Sequence, residues 1–181
     1  MMTALATALS VTGLAASIGI GLIFTTAGIV KLRHRRLLPG VIANYRLLPD
    51  ALVSPAATLL PLAEILIGAA LIAGLRPVPA LLGIALLGLF ALAMAINILR
   101  GRSHISCGCG RPELSQSLSW TLVLRNLLFG AALLLRLPEL ATLAGIDLVT
   151  AVAAGLSLAL LAALMSSIGA IGTAPALASR R

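Results

Sequence analysis

The sequence predicts an all-α, polytopic membrane helix bundle, and three observations lead there. Of 181 residues, 60% are hydrophobic and only 10% are charged, with a mean hydropathy of +1.13. Soluble domains are about a quarter charged, and a fold of this length has too little interior to hide so much apolar surface from water. The apolar residues also fall into five long stretches, near 9–30, 55–75, 78–99, 118–135 and 146–171. About 20 such residues cross the hydrocarbon layer, and lipid leaves the backbone no regular option but the helix. One integral membrane domain, 1–181, with five transmembrane helices is therefore expected.

The first stretch has no Lys or Arg ahead of it and ends on "KLRHRR". A secretory signal has the reverse polarity and a shorter apolar core, so this is expected to be a retained span. The second and third are joined by "LRPVP", whose prolines end one helix and start the next. The fourth is the shortest and most polar, carrying Arg125 and Asn126. Small residues recur at Gly13, Ser17 and Gly21 in the first span. In the fifth, Ala151, Gly155, Ala159, Ala163 and Ser167 form a second stripe. Such stripes let helix backbones approach closely and read as packing faces. The two halves show no internal repeat, which argues against an inverted-repeat transporter.

Charge sets the direction. Loop 31–50 carries Lys31, Arg33, Arg35, Arg36 and Arg46. Loop 100–117 carries Arg100, Arg102 and Arg111, and the C-terminus ends in Arg180 and Arg181. The alternate connections hold only Arg76 and Arg136. The positive-inside rule then predicts an N-terminus outside and both basic loops cytoplasmic. The same clustering explains the net charge of +8 through anionic headgroups, so the bilayer is the expected partner. No pattern that reads RNA or DNA accompanies it, and no nucleic acid is expected. Tyr45 and Trp120, near span ends, read as interfacial anchors.

The chain's two cysteines, Cys107 and Cys109, stand one glycine apart in "NILRGRSHISCGCGRPELS". Arg102 and His104 precede them and Arg111 follows. Thiols become redox-active where nearby positive charge or a helix N-terminus stabilises an accessible thiolate. Gly108 and Gly110 permit the backbone angles of a tight Cys-X-Cys ring, and strained, exposed bridges are the labile or catalytic ones. Thiol–disulfide exchange is the leading reading, with one cysteine attacking, the other resolving, and Arg102 and Arg111 favouring the thiolate. Two alternatives stay open. His104, Cys107, Cys109 and His34 offer ligands for a tetrahedral metal site, although the spacing matches no zinc signature. The pair is otherwise two incidental small residues in a turn, and the protein then a structural assembly factor without chemistry of its own.

Inside the spans, Glu64 and Arg125 lie ~14 and ~11 Å from the cytoplasmic ends of their helices at ~1.5 Å per residue. An unpaired charge there costs several kcal/mol, so the two are expected to pair. Asn126 would add hydrogen bonds, and Asn97 lies nearer the cysteine loop. One reading is a structural ion pair that fixes helix register. The other is a polar pocket beneath the cysteines for a proton or the headgroup of a membrane quinone, the one cofactor the residues suggest.

The stretches "FTTAGIVKLRHRRLLPGVIANYRLLP", "LPLAEILIGAALIAG", "NILRGRSHISCGCG" and "LVLRNLLFGAALL" together resemble the MauE family of methylamine utilisation proteins, across 20–135. That family sits within the DoxX-like group of small helical membrane proteins. The resemblance implies a four-helix DoxX-like core plus one further span. It also implies a multi-pass protein of the bacterial inner membrane, its N-terminus then periplasmic, with an accessory role in maturing methylamine dehydrogenase or a related periplasmic quinoprotein, by disulfide formation or transport. The implied client is that enzyme's small subunit, and the implied partner is a thioredoxin-like, MauD-like protein. Cys107 and Cys109 fall where the redox pair is expected, while Glu64, Arg125 and Asn126 lie in matching segments without an assigned role. The client is periplasmic, whereas the charge distribution puts the cysteines near the cytoplasm. A dithiol alone cannot carry electrons across ~30 Å of hydrocarbon, so a quinone or a second protein is needed to complete the path.

Overall fold

A computed structural model describes residues 2–108, 116–138, 142–143 and 145–173. They form six helices: α1 (Met2–Arg33), α2 (Leu38–Asn44), α3 (Asp50–Ile72), α4 (Val78–Leu99), α5 (Trp120–Leu134) and α6 (Ile146–Thr173). Among the described residues the only β-pairing is a bridge between Ser106 and Ser117. The protein is an all-α membrane bundle, as its composition dictates, and a helix occupies each of the five predicted spans.

Four of those helices, α1, α3, α4 and α6, are long and apolar enough to cross a membrane. The 15-residue α5 is shorter. At 1.5 Å per residue it reaches about 22 Å, against ~30 Å of hydrocarbon. The shortfall has a local cause. Leu118, apolar enough to read as helix, lies ahead of it, before the extended Ser119, and its amide donates to Ser103 O at 2.9 Å and Ile105 O at 3.2 Å. At its start α3 runs the other way, beginning at Asp50 and carrying Pro55 and Pro61 inside the helix. Each proline removes one helical N–H, a loss that membrane helices tolerate when neighbours repack around it. The short α2 occupies what reads as loop, with proline in its first turn.

The central helix is α1, which packs along α3 on one side and α6 on the other, while α4 pairs with α5. Small residues on both faces of α1 make this possible. A Cβ on Gly21 would stand 2.8 Å from Gly68 O, and one on Gly68 only 2.6 Å from Gly21 O. One turn earlier Ser17, fully buried, donates from Oγ to Leu71 O at 2.9 Å. On the opposite face a Cβ on Gly19 would meet Gly155 O at 2.9 Å, and one on Gly155 would meet Ala15 O at 2.8 Å. The Gly13–Ser17–Gly21 stripe is thus a packing seam.

The α6 stripe is corrected. Ala151 and Gly155 are buried, but Ala163 and Ser167 are exposed, and Ala162 and Ser166 take the half-buried positions. Steps of four overrun a 3.6-residue turn by about 40° each, so from Ala151 to Ser167 the stripe rotates by about 160°.

The main core gathers Ile20, Phe24, Leu71, Leu87 and Leu133. At the far end from the cysteines, Arg136 donates to Gly74 O at 2.8 Å and ties the α3–α4 turn to the end of α5. Burial, and secondarily the like charge of Arg76, pull the Arg136 pKa below its ordinary value.

The α1–α3 seam is open to test. Gly21→Leu forces a side chain into backbone and is expected to cost about 1–3 kcal/mol or more, lowering the thermal midpoint of the detergent-solubilised protein. Gly88→Leu, where a Cβ meets nothing within 4 Å, is expected to leave the midpoint unchanged. Equal effects would show that the seam does not limit stability.

Candidate functional site

The cysteine loop is anchored on the bundle. Ile105 and Leu118 are buried with Met94, Leu122 and Val123. Between them the Cys107 amide donates to Gln116 O at 2.9 Å, beside the Ser106–Ser117 bridge. Half-buried Cys107 packs on this cluster, and its carbonyl accepts a 3.0 Å hydrogen bond from the Tyr45 hydroxyl. Gly108 has φ +68, and a Cβ there would stand 2.9 Å from Val41 Cγ1. Both the left-handed backbone and the nearness of α2 therefore call for glycine. Cys109 and Arg111 lie outside the described residues.

Arg102 does more than add charge. Its Nη2 donates to Asn44 O at 2.7 Å, and its Nη1 to Asn97 Oδ1 at 3.1 Å and Tyr45 O at 3.5 Å. These carbonyls sit at the C-terminal end of α2, where helical partners run out and a cation is favoured. Fully buried Asn97 completes the tie, accepting from Arg102 and donating from Nδ2 to Ala93 O at 3.1 Å. The loop, α2 and the end of α4 thus share one end of the bundle. Half-buried Tyr45 braces the loop through its hydroxyl, while Trp120 is exposed.

His104 is exposed, and His34 is half-buried with Nδ1 3.0 Å from Val30 O. Among the described residues no three His, Cys, Asp or Glu side chains gather as a metal site needs. Cys109, a member of the predicted ligand set, lies outside them.

The expected Glu64–Arg125 pair does not form. Glu64, 1% exposed, is ion-paired and hydrogen-bonded to Lys31, while Arg125 Nη1 donates to Ser166 Oγ on α6 at 3.2 Å. The close α1–α3 crossing is the reason. A Cβ on Gly28 would stand 3.3 Å from the Glu64 Cβ, and Lys31 follows one turn later on the same face. The Lys31 ammonium also lies 5.4 Å from the centroid of the Phe90 ring. Asn126, 6% exposed, donates from Nδ2 to Leu122 O at 2.8 Å.

Below the loop is a gap. Although consecutive, α3 and α4 pack little against each other. Between them, with α1 behind and α2 and the cysteine loop at one end, lies a cavity of about 490 Å³. Its walls are almost wholly apolar. Lys31, Arg125, Asn126, Tyr45 and Cys107 are the main polar-bearing residues along them. Chemically the arrangement suits an apolar guest with a small polar end held near a sulfur-bearing residue.

Sequence reasoning missed Lys31, the chain's single lysine, by counting it among the orientation charges. The usable signal was the buried carboxylate itself, since a lysine at a span end can reach inward with its four-carbon stem. Tyr45 was missed because its hydrogen-bonding partner is distant in the chain.

Comparison with known sequences adds an independent line. A family profile described as "Methylamine utilisation protein MauE" matches residues 8–138, which takes in α1 to α5 and the cysteine loop. Methylamine utilization protein MauE of Paracoccus denitrificans is 45% identical over 113 residues, 62% of this chain and 61% of that one. The Paracoccus versutus protein of the same name is 40% identical over 155 residues, 82% of each chain. That of Methylophilus methylotrophus is 46% identical over 103 residues, 56% of this chain and 54% of that one. The alignment thus spans under two thirds of the Paracoccus denitrificans and Methylophilus methylotrophus relatives. No solved structure matches the chain.

The Lys31–Glu64 pair predicts an ordered set of stabilities. Lys31→Met strands a buried carboxylate and is expected to cost about 3–5 kcal/mol. Removing both charges in Lys31→Met/Glu64→Leu is expected to recover most of that loss, and Arg125→Met is expected to be milder than Lys31→Met. Thermal midpoints in detergent check the order; equal damage from Arg125→Met would contradict the pairing.

Proposed function

The chain belongs to the MauE family of methylamine utilisation proteins, and from that premise we propose a bacterial inner-membrane accessory protein that works by thiol–disulfide exchange at Cys107 and Cys109. Its client is the small subunit of methylamine dehydrogenase or a related periplasmic quinoprotein, whose disulfide formation or transport it supports. The observation that carries the reading is the setting of Cys107. It is half-buried, its backbone is bonded to both Tyr45 and Gln116, and it sits on a loop fastened to α2 by Arg102. Backbone held this firmly at a helix-bundle end keeps the residue in one place, which exchange with a partner exploits.

In the proposed step, a thiolate of a dithiol partner attacks one sulfur of the Cys107–Cys109 disulfide. A mixed disulfide forms, and the partner's second thiol resolves it, leaving two reduced cysteines here and one new disulfide in the partner. A thioredoxin-like, MauD-like protein fits the partner's role. Arg102 and Arg111, which flank the pair in the chain, favour the thiolate as leaving group. The distribution of Lys and Arg favours a periplasmic N-terminus with the loop end of the bundle cytoplasmic. A carrier between that end and the periplasmic client is then part of the proposal.

Mutation tests the reading directly. Cys107→Ser and Cys109→Ser are each expected to abolish accumulation of the mature client and growth on methylamine, while His104→Ala stays near wild type. Normal maturation in the double serine variant would refute exchange, and damage from His104→Ala equal to that from the serines would favour a metal site. Membrane-impermeant maleimide on intact and permeabilised cells reports sidedness, with labelling expected only after permeabilisation.

A further inference from the structure

We propose that the gap between α3 and α4 is a binding site for an isoprenoid quinone, its ring set toward Cys107, and that this quinone is the oxidant that restores the cysteine disulfide. The inference rests on the exchange reading above and supplies the electron acceptor that reading lacks.

Four observations converge on it. The first is access. Leu59 and Leu89 border the gap and are more than half exposed on the lipid-facing surface, so a guest enters from the bilayer. The volume of about 490 Å³ suits a substituted ring and the first units of a tail whose remainder stays in lipid.

The second is the distribution of aromatic residues. The chain has three phenylalanines, one tyrosine and one tryptophan in 181 residues. All three phenylalanines, Phe24, Phe90 and Phe129, and the tyrosine, Tyr45, line this gap. Aromatic faces stack on a planar ring, whereas a saturated acyl chain gains nothing special from them.

The third is the polar set. Lys31, Arg125 and Asn126 are nitrogen donors, and no carboxylate is among the lining residues. Lys31 is already ion-paired with Glu64, but Arg125 keeps a buried Nε with no hydrogen-bond partner among the described residues, and a quinone carbonyl, or its reduced oxygen before protonation, accepts from such a cationic donor. Asn126 is more than nine-tenths buried, and the one hydrogen bond of its side chain among the described residues runs from Nδ2 to Leu122 O. Its amide oxygen is left to accept from a quinol hydroxyl. The fourth is position, since Cys107 and Gly108 themselves form part of the wall.

The step balances. The two thiols give up two electrons and two protons and form one S–S bond. The quinone takes up both, its two carbonyl oxygens become hydroxyls, and the quinol leaves into the bilayer. The disulfide then passes to the partner dithiol by exchange.

The test uses the full chain in detergent with decylubiquinone as probe. Reduced protein, mixed anaerobically, is expected to convert one equivalent of quinone to quinol, read by ultraviolet absorbance, as both thiols become inaccessible to alkylation. Ala63→Trp fills the gap with an indole and is expected to weaken decylubiquinone binding by at least about tenfold. Oxidation of its thiols by soluble dithiodipyridine is expected to proceed at the wild-type rate, which also shows that the variant is folded. The Cys107→Ser/Cys109→Ser protein is expected still to bind the quinone saturably but to reduce none of it, separating occupancy from redox. Absence of saturable binding to the unaltered protein, equal binding by Ala63→Trp, or recovery of phospholipid in place of quinone on extraction would each overturn the proposal. Thiols that react with dithiodipyridine but never with quinone would overturn it too, leaving thiol exchange standing. Quinone binding alongside normal maturation in the double serine variant would instead refute the exchange reading.

Discussion

A carboxylate inside the hydrocarbon layer must meet a cation within the protein, and the pairing of Glu64 with Lys31 is the constraint from which the remaining arrangement follows. The contacts between α1 and α3 run in antiparallel order: Ser17 with Leu71, Gly21 with Gly68, Gly28 with Pro61, and Lys31 with Glu64. All share one register. Sliding α1 by a single turn, about 5.4 Å, would part the charges and bring side chains where only glycine fits. Electrostatics and sterics therefore specify the same alignment. That agreement lets a helix with no strongly amphipathic face sit in one place.

With α1 drawn so tightly onto α3, the other helices distribute around that pair. The partner of α4 is α5, and the separation of α4 from α3 is what opens the gap. The short α2 and the cysteine loop then close one end of it, fastened by Arg102 to the last carbonyls of α2 and by Tyr45 to the carbonyl of Cys107. The chemistry-bearing loop and the apolar chamber are thus parts of one construction. Residues far apart in the chain, Asn44 and Arg102, or Tyr45 and Cys107, are its joints.

Much of this was legible in the sequence. Apolar length gave the helices, because a membrane penalises any unsatisfied backbone so heavily that length alone decides. The Gly13–Ser17–Gly21 stripe was readable because two turns of drift still leave it on one face, whereas the longer α6 stripe rotates out of contact. The partner of Glu64 was not readable, since depth counted along a helix says nothing of which neighbour lies closest. A charge just beyond a span was also taken for a loop charge. The place of Arg102 beside the thiols shows its charge but not that its hydrogen bonds run to α2 and Asn97. The helix α2 went unseen because seven residues fall below any hydropathy window. In each case the missing information was tertiary proximity.

The attachment of α6 makes it the most separable helix of the bundle. It lies along the outside of α1, touches α5 through the bond from Arg125 to Ser166, and is absent from the residues that line the gap. The family profile, ending at 138, stops before it. Only a narrow line of small side chains holds this helix to α1. Side chains on its remaining surface touch neither that seam nor the chamber, an outer stave that can be recut without disturbing the barrel.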